Sequence, residues 1–143
     1  LDSLPAGEEW AVDVAQVTER TVALLQPVAD AAGVTVEKSL KPGCVVLCTE
    51  DDLSQVCFNL VENAVKYNYS GGKVFVSVNR FYRVDKARSR AAGGTGLGLS
   101  IVRDTVRRHR GWVTARPRNP EGSLFTVGFP RYVPVQDGEE GAQ

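Results

Sequence analysis

Excess charge of either sign is missing from this 143-residue chain: Lys and Arg together number 17, and so do Asp and Glu. A formal net charge of zero argues against a protein whose main task is to coat nucleic acid. No apolar run reaches the roughly 18 residues that a membrane-spanning helix needs. Leu1 to Glu9 carries neither a basic n-region nor an apolar h-region. Cysteine is scarce and odd in number: Cys44, Cys48 and Cys57, with Cys44 and Cys48 wrongly spaced for a zinc knuckle. Buried, reduced thiols are the expectation, with a cytoplasmic setting implied. The only histidine, His109, stands among Arg107, Arg108 and Arg110, which makes it a poor metal ligand and a poor base; it is expected to stabilise a helix C-terminus. Repeats and long low-complexity tracts are absent, and the length suits one core that removes roughly two thirds of the unfolded surface from water.

What is present reads as alternating helices and strands. Asp13 with Gln16 forms a capping box for a helix to about Ala32, kinked or disturbed at Pro27 and stopped by Gly33. Val34 to Leu40 and Val45 to Cys48 read as strands joined by the turn Lys41-Pro42-Gly43. Thr49 with Asp52 opens a second helix to about Tyr67, whose core face is Leu53, Val56, Leu60, Val61 and Ala64. After Ser70-Gly71-Gly72, Lys73 to Asn79 alternates as a strand. Leu99, Val102 and Val106 then space an amphipathic helix over 99–108, and Trp112 to Arg116 with Leu124 to Phe129 forms a hairpin around Asn119-Pro120-Glu121-Gly122. The predicted architecture is α+β: a two-layer sandwich of about three helices on one face of a mixed, about five-stranded sheet. Residues 1–12 are expected to be a linker remnant, 13–133 the folded domain and 134–143 a frayed tail.

Two motifs carry chemistry. On a helix of about 3.6 residues per turn, Asn59, Asn63, Lys66 and Tyr67 fall at i, i+4, i+7 and i+8 and share one stripe. An amide oxygen can join the oxygen-rich coordination of a magnesium ion, Lys66 can meet a phosphate, and Tyr67 can stack on a base. Downstream, Gly93-Gly94-Thr95-Gly96-Leu97-Gly98-Leu99 can cradle an anion, because glycine backbone approaches closely and the helix that follows offers free amides. Taken singly, each motif has an ordinary reading, as a solvated helix face or a flexible turn. Their joint occurrence in this order points to a nucleotide site.

Asn59 to Tyr67 resembles the N box, and Gly94 to Leu99 the G2 box, of the catalytic ATP-binding domain of bacterial sensor histidine kinases, which have the Bergerat fold. Arg80 to Arg90 is similar to the end of that family's F box and the lid after it. The resemblance runs from about Asp13 to Phe129. It implies that Asn59 and Asn63 organise Mg2+, that Lys66 and the loop Gly94, Thr95, Gly96, Leu97 and Gly98 hold the triphosphate of ATP, and that Tyr67 borders the base. Arg83 and its basic neighbours would help hold triphosphate oxygens or dock on a partner helix bundle. The wider superfamily includes gyrase, the ninety-kilodalton heat-shock chaperone and the mismatch-repair ATPases, which carry a water-activating glutamate four residues before the metal-binding asparagine. Asn59 holds that place here, which favours phosphoryl transfer to a protein over hydrolysis. The implied partners are the dimerisation and histidine-phosphotransfer helices of the same kinase, since His109 is no phosphoacceptor, and a response regulator; the isolated domain would be a monomer. An anti-sigma-factor serine kinase fits less well, because Phe81-Tyr82-Arg83 and the basic lid look like the sensor-kinase version. Arg80, Arg83, Lys86, Arg88 and Arg90, offset by Asp85 alone, also read as a solvated loop; single-stranded nucleic acid is a weak reading given the neutral whole.

One departure stands out. The family follows the strand ending near Asn79 with the G1 box, an Asp-x-Gly-x-Gly whose aspartate accepts from the adenine amino group, and then the first half of the F box. Here Asn79 runs straight into Arg80-Phe81-Tyr82, and Asp-x-Gly-x-Gly occurs nowhere. The lost charge-assisted hydrogen bond is worth about 1.5 to 3 kcal/mol, so weak or absent ATP binding is expected. A flexible stretch left out, a deliberate shortening and a natural loss of binding each account for the gap; intact Lys66, Tyr67 and glycines favour the first two. A degenerate, non-catalytic module binding kinase helices or a response regulator is the alternative function.

Overall fold

The computed structural model describes residues 9–79, 99–117 and 123–132. A four-residue strand absent from the sequence reading, β1 (Trp10–Asp13), leads directly into helix α1 (Val14–Ala32). Asp13 caps that helix as expected, but its carboxylate accepts from the Ala15 amide at 2.9 Å and from the Gly43 amide at 3.3 Å. The helix is continuous through Pro27, which faces solvent. Gly33 ends it in the left-handed region (φ 72°, ψ 28°), and the Val34 amide returns to the Ala29 carbonyl at 2.9 Å. A side chain at Gly33 would also meet Ser70 Oγ at 2.6 Å.

Strands β2 (Thr35–Leu40) and β3 (Val45–Cys48) flank the expected turn, with Gly43 at φ 92°, yet they do not pair with each other. β3 runs antiparallel to β1, Ala11 opposite Leu47, whereas β2 runs parallel to β4 (Lys73–Val78), Val36 opposite Val74. Helix α2 (Glu50–Lys66) makes the crossover between them. Thr49 caps it through its hydroxyl, which accepts from the Asp52 amide at 3.1 Å, and Glu50, Asp51 and Asp52 place negative charge where the helix dipole favours it. Helix α3 (Leu99–Arg108) and the antiparallel pair β5 (Trp112–Pro117) and β6 (Ser123–Gly128) follow, and a bridge from Val46 to Arg131 links the segment after β6 to β3. Among the described residues the result is an α+β fold of three helices and six strands, where about five strands were expected, paired as one parallel and two antiparallel ladders.

Period-two alternation sorts β4: Val74 is buried while Phe75 is 60% exposed, so the helices cover one face of the ladder. Three clusters form the core. Leu25, Ala29 and Val34 meet Val61, Val65 and Val74 between α1, α2 and the β2·β4 ladder. Val17, Val46, Cys48 and Leu53 fill the space under β1 and β3. Val56 of α2 packs on Val102 and Val106 of α3, with Leu60, Leu99, Val127 and Phe129 around them. Each fully buried valine contributes about 1.5 to 3 kcal/mol by leaving water. The buried hydroxyls of Thr18 and Thr21 donate back to the carbonyls of Val14 and Val17, at 2.8 and 2.9 Å.

Candidate functional site

Helix α2 carries the asparagine stripe as its spacing predicted. Asn59 and Asn63, one turn apart, are both half-buried in its C-terminal half. Lys66 is the last helical residue and is exposed. Tyr67 is the C-cap, its amide donating to the Asn63 carbonyl at 3.0 Å, and its ring is 65% exposed with the Lys66 ammonium 5.9 Å from its centroid. An exposed aromatic beside an ammonium, next to half-buried amides, can meet a flat heterocycle, a phosphate and a hard cation that retains its waters. Arg83, Gly94, Thr95, Gly96, Leu97 and Gly98 lie outside the described residues.

Leu99, the residue after Gly98, begins α3 and packs in one cluster with Leu60, the residue after Asn59. At the other ends of the two helices, Arg108 Nη2 reaches Asp52 Oδ2 at 3.3 Å. Asp52 meeting Arg108 at one end, and Leu60 and Leu99 packing on the shared Val56, Val102 and Val106 cluster toward the other, make α2 and α3 antiparallel. This arrangement sets the amino end of α3, where anions are favoured, beside the turn of α2 that holds Asn59.

The sequence reading missed what His109 does. It lies just past α3, as a terminus-stabilising residue would, but its ring is buried at 5% exposure and is gripped from both sides. Nδ1 meets Glu9 Oε2 at 2.5 Å and Nε2 meets Asp52 Oδ2 at 2.8 Å. Glu9 also receives Arg110 at 3.1 Å. Desolvation raises both carboxyls, yet hydrogen bonds from His109, with Arg110 on Glu9 and Arg108 on Asp52, outweigh it and hold both below their ordinary values. Neither Glu9 nor Asp52 is near His109 in sequence, so no local pattern could have revealed the cluster. The thiols behave as expected in part: Cys44 and Cys48 are buried and Cys57 is half-buried. Burial, with the charges of Glu9 and Asp52 nearby, pushes the Cys48 thiol up to about 12.

Residues 77–133 match the family described as histidine kinase-, DNA gyrase B-, and HSP90-like ATPases. Fold, asparagine helix and glycine-led helix therefore define a chain of that ATPase class. Curated relatives narrow it further: the chain is 33% identical over 149 residues to the sensor-like histidine kinase SenX3 of Mycolicibacterium smegmatis (85% of this chain, 39% of the relative). It is 30% identical over 169 residues to the sensor histidine kinase RppB of Synechocystis (94% and 36%). The chain belongs to the catalytic ATPase domains of sensor histidine kinases. It spans about two fifths of the length of these relatives. Solved structures agree on the fold: the cytoplasmic segment of the histidine kinase QseC superimposes with TM-score 0.71 at 23% identity (92% of this chain, 83% of that one). The catalytic domain of the histidine kinase ThkA, in a nucleotide-free form, gives 0.72 at 19% (87% and 97%). The stretch aligned with SenX3 is longer than this whole chain although it takes in only part of it, so the relative carries residues within the matched span that this chain lacks. Among the described residues no helix is long and apolar enough to cross a membrane.

Proposed function

We propose that the chain is the ATP-binding catalytic module of a two-component sensor kinase, holding Mg-ATP for phosphoryl transfer to a histidine on separate dimerisation helices. The observation that supports this reading is the antiparallel packing of α2 on α3, with Leu60 and Leu99 on one shared cluster, so that the first residue of α3 lies on the same core as the residue after Asn59. Asn59 and Asn63 are the residues that would hold Mg2+, through hard amide oxygens spaced one turn apart. Bound there, the ion would neutralise charge on the triphosphate. Lys66, Arg83 and the loop Gly94 to Gly98 supply further positive potential and backbone donors, and Tyr67 borders the base. Catalysis by this chain is positioning and charge stabilisation. Its partners are then the dimerisation helices and a response regulator, not nucleic acid, with the isolated domain a monomer on the cytoplasmic side of the parent.

The contiguous 143-residue chain binds nucleotide poorly in this reading, because nothing supplies the adenine-reading aspartate after Asn79. The residues that SenX3 carries in excess within the aligned span support this. They also favour a second reading, a silent module that docks on kinase helices or a response regulator without ATP. Calorimetric titration with Mg-ATP separates the two. The chain as it stands is expected to show no micromolar binding, and insertion of an Asp-x-Gly-x-Gly segment between Asn79 and Arg80 is expected to create it, with Asn63→Ala removing its magnesium dependence. Micromolar affinity in the uninterrupted chain would overturn the impairment; no binding after insertion would overturn the ATP reading.

A further inference from the structure

Helix α3 is short, about 15 Å at ten residues, and only Val102, Thr105 and Val106 along it are buried. Its neighbours with most contact are α2 and β5. A helix so lightly embedded is held lengthwise by few interlocking apolar side chains, so a polar anchor at its end adds a constraint of weight. The group placed to supply it is His109, the one ionisable side chain other than the cysteines that is buried among the described residues. Its two ring nitrogens face two carboxylates from different elements: Glu9, just before β1, and Asp52, in the first turn of α2. Arg110 braces Glu9 from outside and Arg108 braces Asp52, while Cys48 of β3 lies close enough to feel both carboxylates. In the imidazolium form both ring nitrogens donate, so one desolvated ring satisfies two acceptors at once.

We propose that His109 is a positioning residue: a hydrogen-bonded clamp that ties the segment entering β1 to the adjoining ends of α2 and α3 and thereby fixes the lengthwise register of the two helices that frame the nucleotide site. The site is then mechanically connected to the chain that enters the domain, through Glu9. A displacement of Glu9 pulls on α3 by its C-terminal end, and the rigid helix carries that motion to Leu99. The link to nucleotide rests on the function proposed above, but the clamp acts with the site empty.

The test is therefore made without nucleotide, on the whole 143-residue chain, by amide hydrogen exchange. His109→Gln and His109→Phe are expected to raise exchange at least tenfold over 101–106 of α3 and in β1, while amides of the β2·β4 ladder change less than twofold. Glu9→Gln, a partly exposed change that removes one arm, is expected to raise exchange several-fold in the same two segments, and it serves if the His109 variants do not fold. Phe fills the ring's volume without donors, so recovery of wild-type exchange by His109→Phe would reduce His109 to packing and overturn the proposal. Changes confined to 108–111, or an equal rise in the β2·β4 ladder, would overturn it as well. In the wild-type chain at a pH where the imidazolium forms, proton NMR should show two ring N–H signals shielded from exchange, and Asp52→Asn should release one of them. Because ATP is absent throughout, a failed titration with Mg-ATP leaves these outcomes intact.

Discussion

Replacing Val106 by alanine tests the packing that the functional reading depends on. Val106 has no exposed surface and sits in the cluster with Val56 and Val102, between α2 and α3. Losing two carbons forfeits about 1.6 kcal/mol of transfer free energy at roughly 0.8 per CH2, and the cavity left behind adds about 1 kcal/mol. Alanine's better helix propensity returns roughly 0.5 kcal/mol, leaving a net loss of about 2 kcal/mol. With a urea m-value of about 1 to 3 kcal/mol/M, the unfolding midpoint should fall by roughly 1 M. Ile101→Ala on the same helix is the control. It removes more carbon from a side chain that is 47% exposed, gains the same kind of propensity, and should shift stability by no more than about 0.5 kcal/mol. Urea titrations followed by far-UV circular dichroism measure both. If Ile101→Ala costs as much as Val106→Ala, the face assigned to α3 is wrong, and with it the packing that sets Leu99 on the same cluster as Leu60.

Other consequences can be checked alongside. Thr49→Ala removes the hydroxyl that caps α2 and should lower stability by about 1 kcal/mol, read as a drop of a few degrees in Tm, with Thr49→Asp restoring most of it. Glu9 and Asp52 are held below their ordinary values of 4.5 and 3.8, so their contribution is fully present above that range and fades as pH falls through the lower, folded-state values. Urea midpoints should therefore decline on the acid side, and Glu9→Gln with Asp52→Asn should flatten that decline; an unchanged slope would count against the cluster. The Cys48 thiol, buried and pushed up to about 12, should resist alkylation in the native state at pH 8 and react once urea unfolds the chain.

Several elements could be read directly from the residues. Thr49 with Asp52, followed by apolar residues at helical spacing, placed the start of α2, and Leu99, Val102 and Val106 placed α3, because caps and one-sided burial are local properties. Alternation in Lys73 to Val78 likewise revealed β4 and its buried face. What escaped depends on partners remote in sequence. β1 is four residues whose identity as a strand comes from pairing with β3, and the turn at Lys41-Pro42-Gly43 looked like the bend of a hairpin although each flanking strand finds its neighbour elsewhere. That Asn59, Asn63 and Lys66 lie along one helix was legible from spacing alone. His109 was not, since its meaning is set by Glu9 and Asp52, which lie 100 and 57 positions away.

The parallel pairing of β2 with β4 also dictates an order of assembly. Two parallel strands cannot zip from a tight bend; the intervening chain must first travel back across the sheet, and here that return path is β3 and α2. Closing so large a loop forfeits chain entropy before its own hydrogen bonds give anything in return. During synthesis, then, β2 has no complete partner until Val78 has emerged, and a nascent chain halted before that point would present it as an unsatisfied ribbon open to the wrong partner.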